Sequence, residues 1–215
     1  MDLKLSSLKR NSESHAFTLL ELMIVIGIIL ILAGIAAENF LAAQVRAKVA
    51  RIKTDFRTLE LGIEAYHADQ NQYPRMADMS YYRDRDFDMI DGVPVVGVMS
   101  RVLSTPVAYV SNAYLQDPFT KNNLKIPLDE RLYTYHVLPI YKTIEPNSLF
   151  WPAAAEYYGD WRLISSGPDQ LFGHGFTNST QLPYDPTNGV VSFGNIITSQ
   201  RKVDGLPGPR LLGDH

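Results

Sequence analysis

Phe17-Thr-Leu-Leu-Glu-Leu-Met-Ile-Val-Ile-Gly-Ile-Ile-Leu-Ile-Leu-Ala-Gly-Ile-Ala-Ala37 is the stretch whose reading decides the fold. It holds 21 residues and one charge, Glu21. As a helix it rises about 31 Å, close to the hydrocarbon thickness of a bilayer. Residues 1–16, MDLKLSSLKRNSESHA, carry Lys4, Lys9 and Arg10, partly offset by Asp2 and Glu13. A basic stretch before an apolar run is compatible with a membrane anchor, a cleaved secretory signal or a buried helix. The run is longer than the typical signal-peptide core, and it passes without a turn signal into a second helical pattern. Both features favour the anchor. Glu21 is costly there, about 2.5–3.5 kcal/mol at a bilayer centre. Either it lies near the helix end and reaches the interface, or it awaits a cation from a neighbour.

Beyond Ala37 the pattern becomes one-faced. Val45, Val49, Ile52, Phe56, Leu59, Ile63 and Tyr66 are spaced alternately four and three apart, an unbroken heptad stripe. Gly62 alone interrupts the helix-forming composition, at about 1 kcal/mol. The helix is expected from about Phe17 to Ala68, roughly 78 Å at 1.5 Å per residue, closed by Asp69-Gln-Asn-Gln-Tyr-Pro74. The stripe suits packing on the chain's own downstream sheet; a free coiled coil is the alternative. Arg46, Lys48, Arg51, Lys53 and Arg57 lie off the stripe. They read as a solvated or headgroup-facing surface. A nucleic-acid surface is disfavoured by a net charge of −3.

Downstream, three strands are expected. They are Arg131–Val137, which alternates, Tyr157–Gly167, and Val190–Ile197 after an Asn188-Gly189 turn. Residues 75–103 give no clear element; Arg83-Asp-Arg-Asp86 looks exposed, and Val93–Val98 is apolar but punctuated. Residues 104–119 read as a connection with one short helix or turn. The expected fold class is therefore α+β, a long N-terminal helix on a small antiparallel sheet. Its parts are 1–16 leader, 17–37 transmembrane helix, 38–74 amphipathic helix and exit, 75–199 globular domain and 200–215 loose tail.

His15-Ala-Phe-Thr-Leu-Leu-Glu-Leu-Met23 resembles the processing site of type IV prepilins and type II secretion pseudopilins. The Asp117-Pro-Phe119 segment, the Tyr-rich strand at 133–135 and Ser165-Ser-Gly-Pro-Asp169 follow the order found in the major, G-type pseudopilin. Tyr184-Asp-Pro-Thr-Asn-Gly189 is similar to a loop near the end of related prepilin-like proteins. The resemblance covers 15–74 and 104–197. It implies cleavage by prepilin peptidase between Ala16 and Phe17, N-methylation of Phe17, and use of Glu21 in assembly. It also implies a leader on the cytoplasmic side of the inner membrane and a globular domain outside. The implied partners are further copies of the chain, the inner-membrane assembly platform, minor pseudopilins and lipid. Ala16 stands where the family usually has Gly, and the Pro common near the end of the apolar run is missing. Charge alone leaves the orientation open, because cations flank both ends of the run.

The chain has no cysteine. This excludes disulfides and thiolate metal sites, and it tilts the resemblance from motility pilins, often closed by a disulfide, toward pseudopilins. The resemblance also suggests calcium at Ser165, Asp169 and Asp185, with backbone carbonyls completing six to eight ligands. The alternative is a turn in which both aspartates bond local amides. The family's adjacent acidic residues are missing from Gly173–Ser179. His15, His67, His136, His174 and His215 are scattered, without metal-ligand spacing. No nucleophile elbow, phosphate loop or dinucleotide fingerprint occurs. The expectation is a structural, non-enzymatic subunit. A pilus subunit for adhesion, motility or DNA uptake is the first alternative. A membrane-tethered binding domain that never polymerises is the second, and an enzyme on a membrane stalk the last.

Overall fold

A computed structural model describes residues 17–77, 88–90, 92–95, 97–144, 147, 150–170, 184, 185, 187, 192 and 194–201. The chain divides into two compact units, Met1–Leu41 and Ala42–His215. Helix α1, Leu19–Gln70, contributes to both. The expected leader 1–16 and the Arg83–Asp86 run lie outside the described residues, as does the tail beyond Arg201.

In the first unit the helical residues leave their apolar side chains open. Ile28 is 53% exposed and Ile31 67%. Length and composition make this helix sufficient to cross a membrane. It begins two residues later than expected because Thr18 serves as its cap.

In the second unit the stripe behaves as its spacing requires. Ile52, Phe56, Leu59 and Ile63 are buried, and Val45, Val49 and Tyr66 pack half-buried against the same cluster. The helix ends at Gln70, where Asn71 turns to φ 52° and its N–H bonds the His67 carbonyl at 2.8 Å. Asparagine tolerates this left-handed closing position, so two more residues stay helical than expected.

Among the described residues the sheet has five strands in the order β1-β4-β5-β6-β7, all antiparallel neighbours. They are β1 Met76–Ala77, β4 Val98–Met99, β5 Thr134–Val137, β6 Trp161–Ser165 and β7 Ile196–Ser199. A separate hairpin pairs β2 Met89–Ile90 with β3 Val93–Pro94. Alternation along each strand divides the side chains. Met76, Met99, Tyr135, Leu163 and Ile196 join the α1 cluster, whereas Ala77 and Val98 join a second cluster with Val95 and Leu132. Helices α2 Leu138–Ile144 and α3 Phe150–Tyr158 build a third, in which Trp151 stacks on Tyr141 at 3.5 Å and Ile197 joins from β7.

Several expectations are corrected. The sheet has five strands, not three, because residues 75–103 supply β1 and β4. Two-residue strands are too short to show a period of two. Tyr157 and Tyr158 do not open a strand; they close α3. Gly159, at φ 90°, separates that helix from β6. The β5 strand starts at Thr134, after a 3₁₀ turn at Asp129–Arg131. The last strand reaches Ser199; residues 190, 191 and 193 of the expected span lie outside the described residues. Gln200 and Arg201 are not loose, since Gln200 donates to Tyr73 and accepts from the Asp160 N–H.

Three carboxylates pin α1 to the sheet and to the residue that leads into β5. Asp55 accepts from the Tyr133 hydroxyl at 2.8 Å, Glu60 from Thr198 at 2.5 Å and Glu64 from Trp161 Nε1 at 2.9 Å. Gly62 is buried, and a Cβ there would collide with Val110 Cγ1. The segment Leu103–Val110 can approach the helix only because this residue has no side chain.

Candidate functional site: the helix start and the β6–β7 end of the sheet

The start of α1 is a closed capping arrangement. Thr18 Oγ1 accepts from the Glu21 N–H at 3.2 Å. Glu21 Oε2 in turn accepts from the Thr18 N–H at 2.9 Å and from the Thr18 hydroxyl at 2.8 Å. This reciprocal bonding satisfies donors that a helix start otherwise leaves open. The lone carboxylate of the apolar run is thus held at the third helical position, where the helix dipole also favours negative charge. Phe17 is 72% exposed just before the cap. Ala16, on the other side of the expected cut, lies outside the described residues. Sequence reading found Glu21 but missed its partner, although Thr-x-x-Glu before an apolar run is a readable capping signal.

At the far end of β6, a second polar centre surrounds Asp117. Its carboxylate is 1% exposed and accepts four hydrogen bonds. The Phe119 N–H reaches Oδ1 at 2.8 Å. The Ser165 hydroxyl, the Ser166 N–H and the Ser166 hydroxyl reach Oδ2 at 2.7, 2.9 and 3.1 Å. Burial pushes the Asp117 carboxyl up, and these donors pull it back part of the way. Asp117 ties the 117–121 turn to the end of β6. The sequence marked it only through the Asp-Pro-Phe segment, because a buried, hydrogen-bonded aspartate looks like any turn aspartate until its partners are placed.

The residues expected to hold calcium lie along the same end. Ser165 Oγ is fully buried; it donates to Asp117 and accepts the Gly167 N–H at 3.3 Å. Asp169 accepts the Gly194 N–H at 3.1 Å. Asp185 is exposed and accepts both the N–H and the hydroxyl of Thr187, which hold its carboxyl below the usual range. Gly167, at φ 71°, lies so close to the Gly194 carbonyl that a Cβ would collide with it. Ser165 Oγ and one carboxylate oxygen of each aspartate therefore serve protein hydrogen bonds. Among the described residues no group of three His, Cys, Asp or Glu side chains could hold a metal ion.

The other candidates also have local roles. Arg51 pairs with Asp55 at 3.6 Å and Arg57 with Glu60 at 3.5 Å. Lys48 lies over the Phe119 ring at 5.1 Å. His67 stacks on Tyr73, and His136 accepts from Arg162 Nε at 3.1 Å. His15, His174 and His215 lie outside the described residues.

Comparison with known proteins bears on the helix start. The prokaryotic N-terminal methylation motif matches residues 11–37. The type IV major pilin protein PilA of Myxococcus xanthus is 38% identical over 68 residues, 32% of this chain and 31% of its own length. The type II secretion system core protein G of Klebsiella michiganensis is 34% identical over 65 residues, 30% of this chain and 46% of its own. That of Pectobacterium carotovorum is 36% identical over 62 residues, 29% of this chain and 40% of its own. The chain thus spans less than half the length of these curated relatives. No solved structure matches it. The chain carries the prepilin methylation motif, is homologous to core protein G and to a type IV pilin, and has a pilin-like α+β arrangement.

Proposed function

We propose that this chain is a structural subunit of a type II secretion pseudopilus, inserted through α1 with its N-terminus cytoplasmic and its globular unit outside the inner membrane. Prepilin peptidase cuts between Ala16 and Phe17, and the new Phe17 amine is methylated. Copies then assemble by packing their apolar helices, on an inner-membrane platform and with minor pseudopilins, to support protein export. The observation that carries this reading is the single carboxylate, Glu21, placed at the first turn of an otherwise uncharged apolar helix. Thr18 satisfies it within one chain. The Phe17 amine of another copy would satisfy it in a filament and fix the axial register, as buried polar pairs do in other helical assemblies. Homology to core protein G and the cysteine-free composition support secretion. The identity to a type IV major pilin supports a second reading, a surface pilus subunit.

Mass spectrometry of the mature protein tests the processing step; the first residue is expected to be methylated Phe17. Glu21→Val should leave the subunit inserted but unassembled. Normal filaments from that variant, or a mature chain retaining residues 1–16, would overturn the proposal. Electron microscopy separates the two readings: long surface fibres at native expression favour the pilus, and fibres only on overexpression favour the pseudopilus.

A further inference from the structure

Between β5 and β6 the chain leaves the sheet and returns to it through α2 and α3. The base of this excursion is closed by the Leu138 N–H, which bonds the Asp160 carbonyl at 2.8 Å, and by Gly159 at φ 90°. Alternation turns Tyr135 and Leu163 toward α1. His136 and Arg162 stand directly opposite each other in the β5–β6 register and so lie on the other face. There α2 and α3 cover them. The His136 ring meets Tyr141 of α2 and Trp151 of α3 edge to face at 5.8 and 6.0 Å, and the Arg162 guanidinium lies over Tyr158 of α3 at 5.1 Å.

The bond between the two residues fixes the protonation state of the histidine. Arginine can only donate. Arg162 Nε donates to His136 Nδ1 at 3.1 Å, so Nδ1 keeps its lone pair and the ring is neutral, with its proton on Nε2. A second proton can enter only at Nδ1. It would abolish the acceptor and set an imidazolium against a guanidinium whose residue is 4% exposed. Burial already pushes the ionisation of that guanidinium down, and a second cation beside it adds to the cost. The other titratable groups that face the pair are Tyr141 and Tyr158, phenols that stay neutral in acid. Glu156 of α3 is exposed, and Asp160 lines the cavity at the exit of α1 with Val137 and Pro139.

We propose that His136 is an acid-released catch for the α2–α3 cover: its neutral ring holds Arg162 and seats Tyr141 and Trp151, and its protonation breaks that bond and lifts the cover from the β5–β6 face. Helix α3 has nine residues, and a helix that short does not persist away from its support. Its amides therefore exchange when the cover lifts. A freed imidazole titrates near pH 6.5, so an opening that admits one proton rises about tenfold between pH 7.5 and 5.5.

Hydrogen exchange of the full-length protein in detergent micelles reads this opening once the intrinsic pH dependence of exchange is divided out. Protection of the α3 amides 154–158 is expected to fall about tenfold over that range, while the α1 amides 52–63 change less than about twofold. His136→Asn keeps an acceptor near the position of Nδ1 that does not titrate, and it should hold α3 protection constant within about twofold. A tenfold fall in that variant would overturn the proposal. So would a change below twofold in the native chain, or an equal fall in α1, which would mark loss of the whole unit instead of its cover. Nitrogen magnetic resonance of the native chain gives a second reading that needs no variant to fold. At pH 7.5 His136 should show a bare Nδ1 and a protonated Nε2; a proton on Nδ1 at that pH would also overturn the catch.

Discussion

Gly62→Ala is the sharpest test of how α1 meets the rest of its unit. In an exposed helix interior the change would add about 1 kcal/mol of stability. Here the added methyl would collide with Val110 Cγ1, and Leu103 stands 3.5 Å from the same point. Val110 is 6% exposed and Leu103 fully buried, so neither can swing into solvent. A β-branched side chain has little χ1 freedom with which to yield. Overpacking of this kind costs about 1–3 kcal/mol, which leaves a net loss of about 1 kcal/mol and a fall in Tm of roughly 2–4 °C for a unit of this size. Val110→Ala alone should lose about 1.5–2.5 kcal/mol, two buried methyl groups plus a small cavity. In the Gly62→Ala background the new methyl fills that cavity, and the same change should cost at least 1 kcal/mol less. The assay is a double-mutant cycle on the full-length protein in detergent micelles. Unfolding is followed by near-ultraviolet circular dichroism of the buried Trp151 and Trp161. If Gly62→Ala raises Tm and the two changes add within about 0.5 kcal/mol, the close approach of Leu103–Val110 to the helix is wrong.

Asp117→Ala should cost about 3 kcal/mol or more in denaturant unfolding. It strands four donors in a buried site, two of which are peptide N–H groups that cannot turn away; a loss under 1 kcal/mol would refute the role given to Asp117. At high pH, burial, with Asp55 alongside, holds the Tyr133 phenol far above its ordinary value, and burial near Asp88 does the same for Tyr114. Their folded values lie above the unfolded one. Their contribution is therefore complete below about pH 10 and is lost as pH rises beyond it, by about 1.4 kcal/mol per pH unit for Tyr133 and less for the half-buried Tyr114. Phenolate absorbance from these two residues should appear together with unfolding, and titration near pH 10 in the folded protein would contradict this. Chelation should leave the Tm of the globular unit unchanged, because Ser165 Oγ and one oxygen each of Asp169 and Asp185 already serve protein hydrogen bonds. Saturating calcium at one hundred times its Kd would contribute about 2.7 kcal/mol, so a fall of several degrees on chelation would show that it binds.

The helix was legible because its signals are long and redundant: 21 nearly uncharged residues, then seven stripe positions in three heptads. Tertiary packing decided the details the sequence obscured. Gly62 read as a tolerated flaw, and only the position of Val110 shows it to be a requirement. The 75–103 region was opaque because β1 and β4 are two residues each and draw their stability from pairing, as Met76 with Met99 does, not from local pattern. Tyr157-Tyr158 looked like the start of a strand because aromatics favour sheets. The preceding Ala153-Ala-Ala155 and the left-handed Gly159 make them the end of a helix instead. Glu21 stood out as a charge in an apolar run, while Asp117 had no such contrast around it.

The heptad stripe alone leaves the position of α1 on the sheet ambiguous. Val45, Ile52, Leu59 and Tyr66 occupy equivalent positions, as do Val49, Phe56 and Ile63, so a slip of seven residues would keep an apolar face inward. The flanking charges resolve the ambiguity. In the observed register Asp55, Glu60 and Glu64 meet the Tyr133 hydroxyl, the Thr198 hydroxyl and Trp161 Nε1. Sliding the helix by one heptad in one direction would put Lys48, Lys53 and Arg57 in those three places. The Trp161 N–H, a donor only, would then face a cation, and the Tyr133 and Thr198 hydroxyls would lose their carboxylate acceptors. The slip would forfeit three hydrogen bonds to charged acceptors, about 1.5–3 kcal/mol each, before any repulsion is counted. Sliding the other way would bring Gly62, His67 and Asn71, none of them a carboxylate. The basic run along this helix thus needs no nucleic acid or headgroup to account for three of its members. Lys48, Lys53 and Arg57 lie seven residues before the carboxylates they would replace, and that spacing makes the alternative register the wrong one.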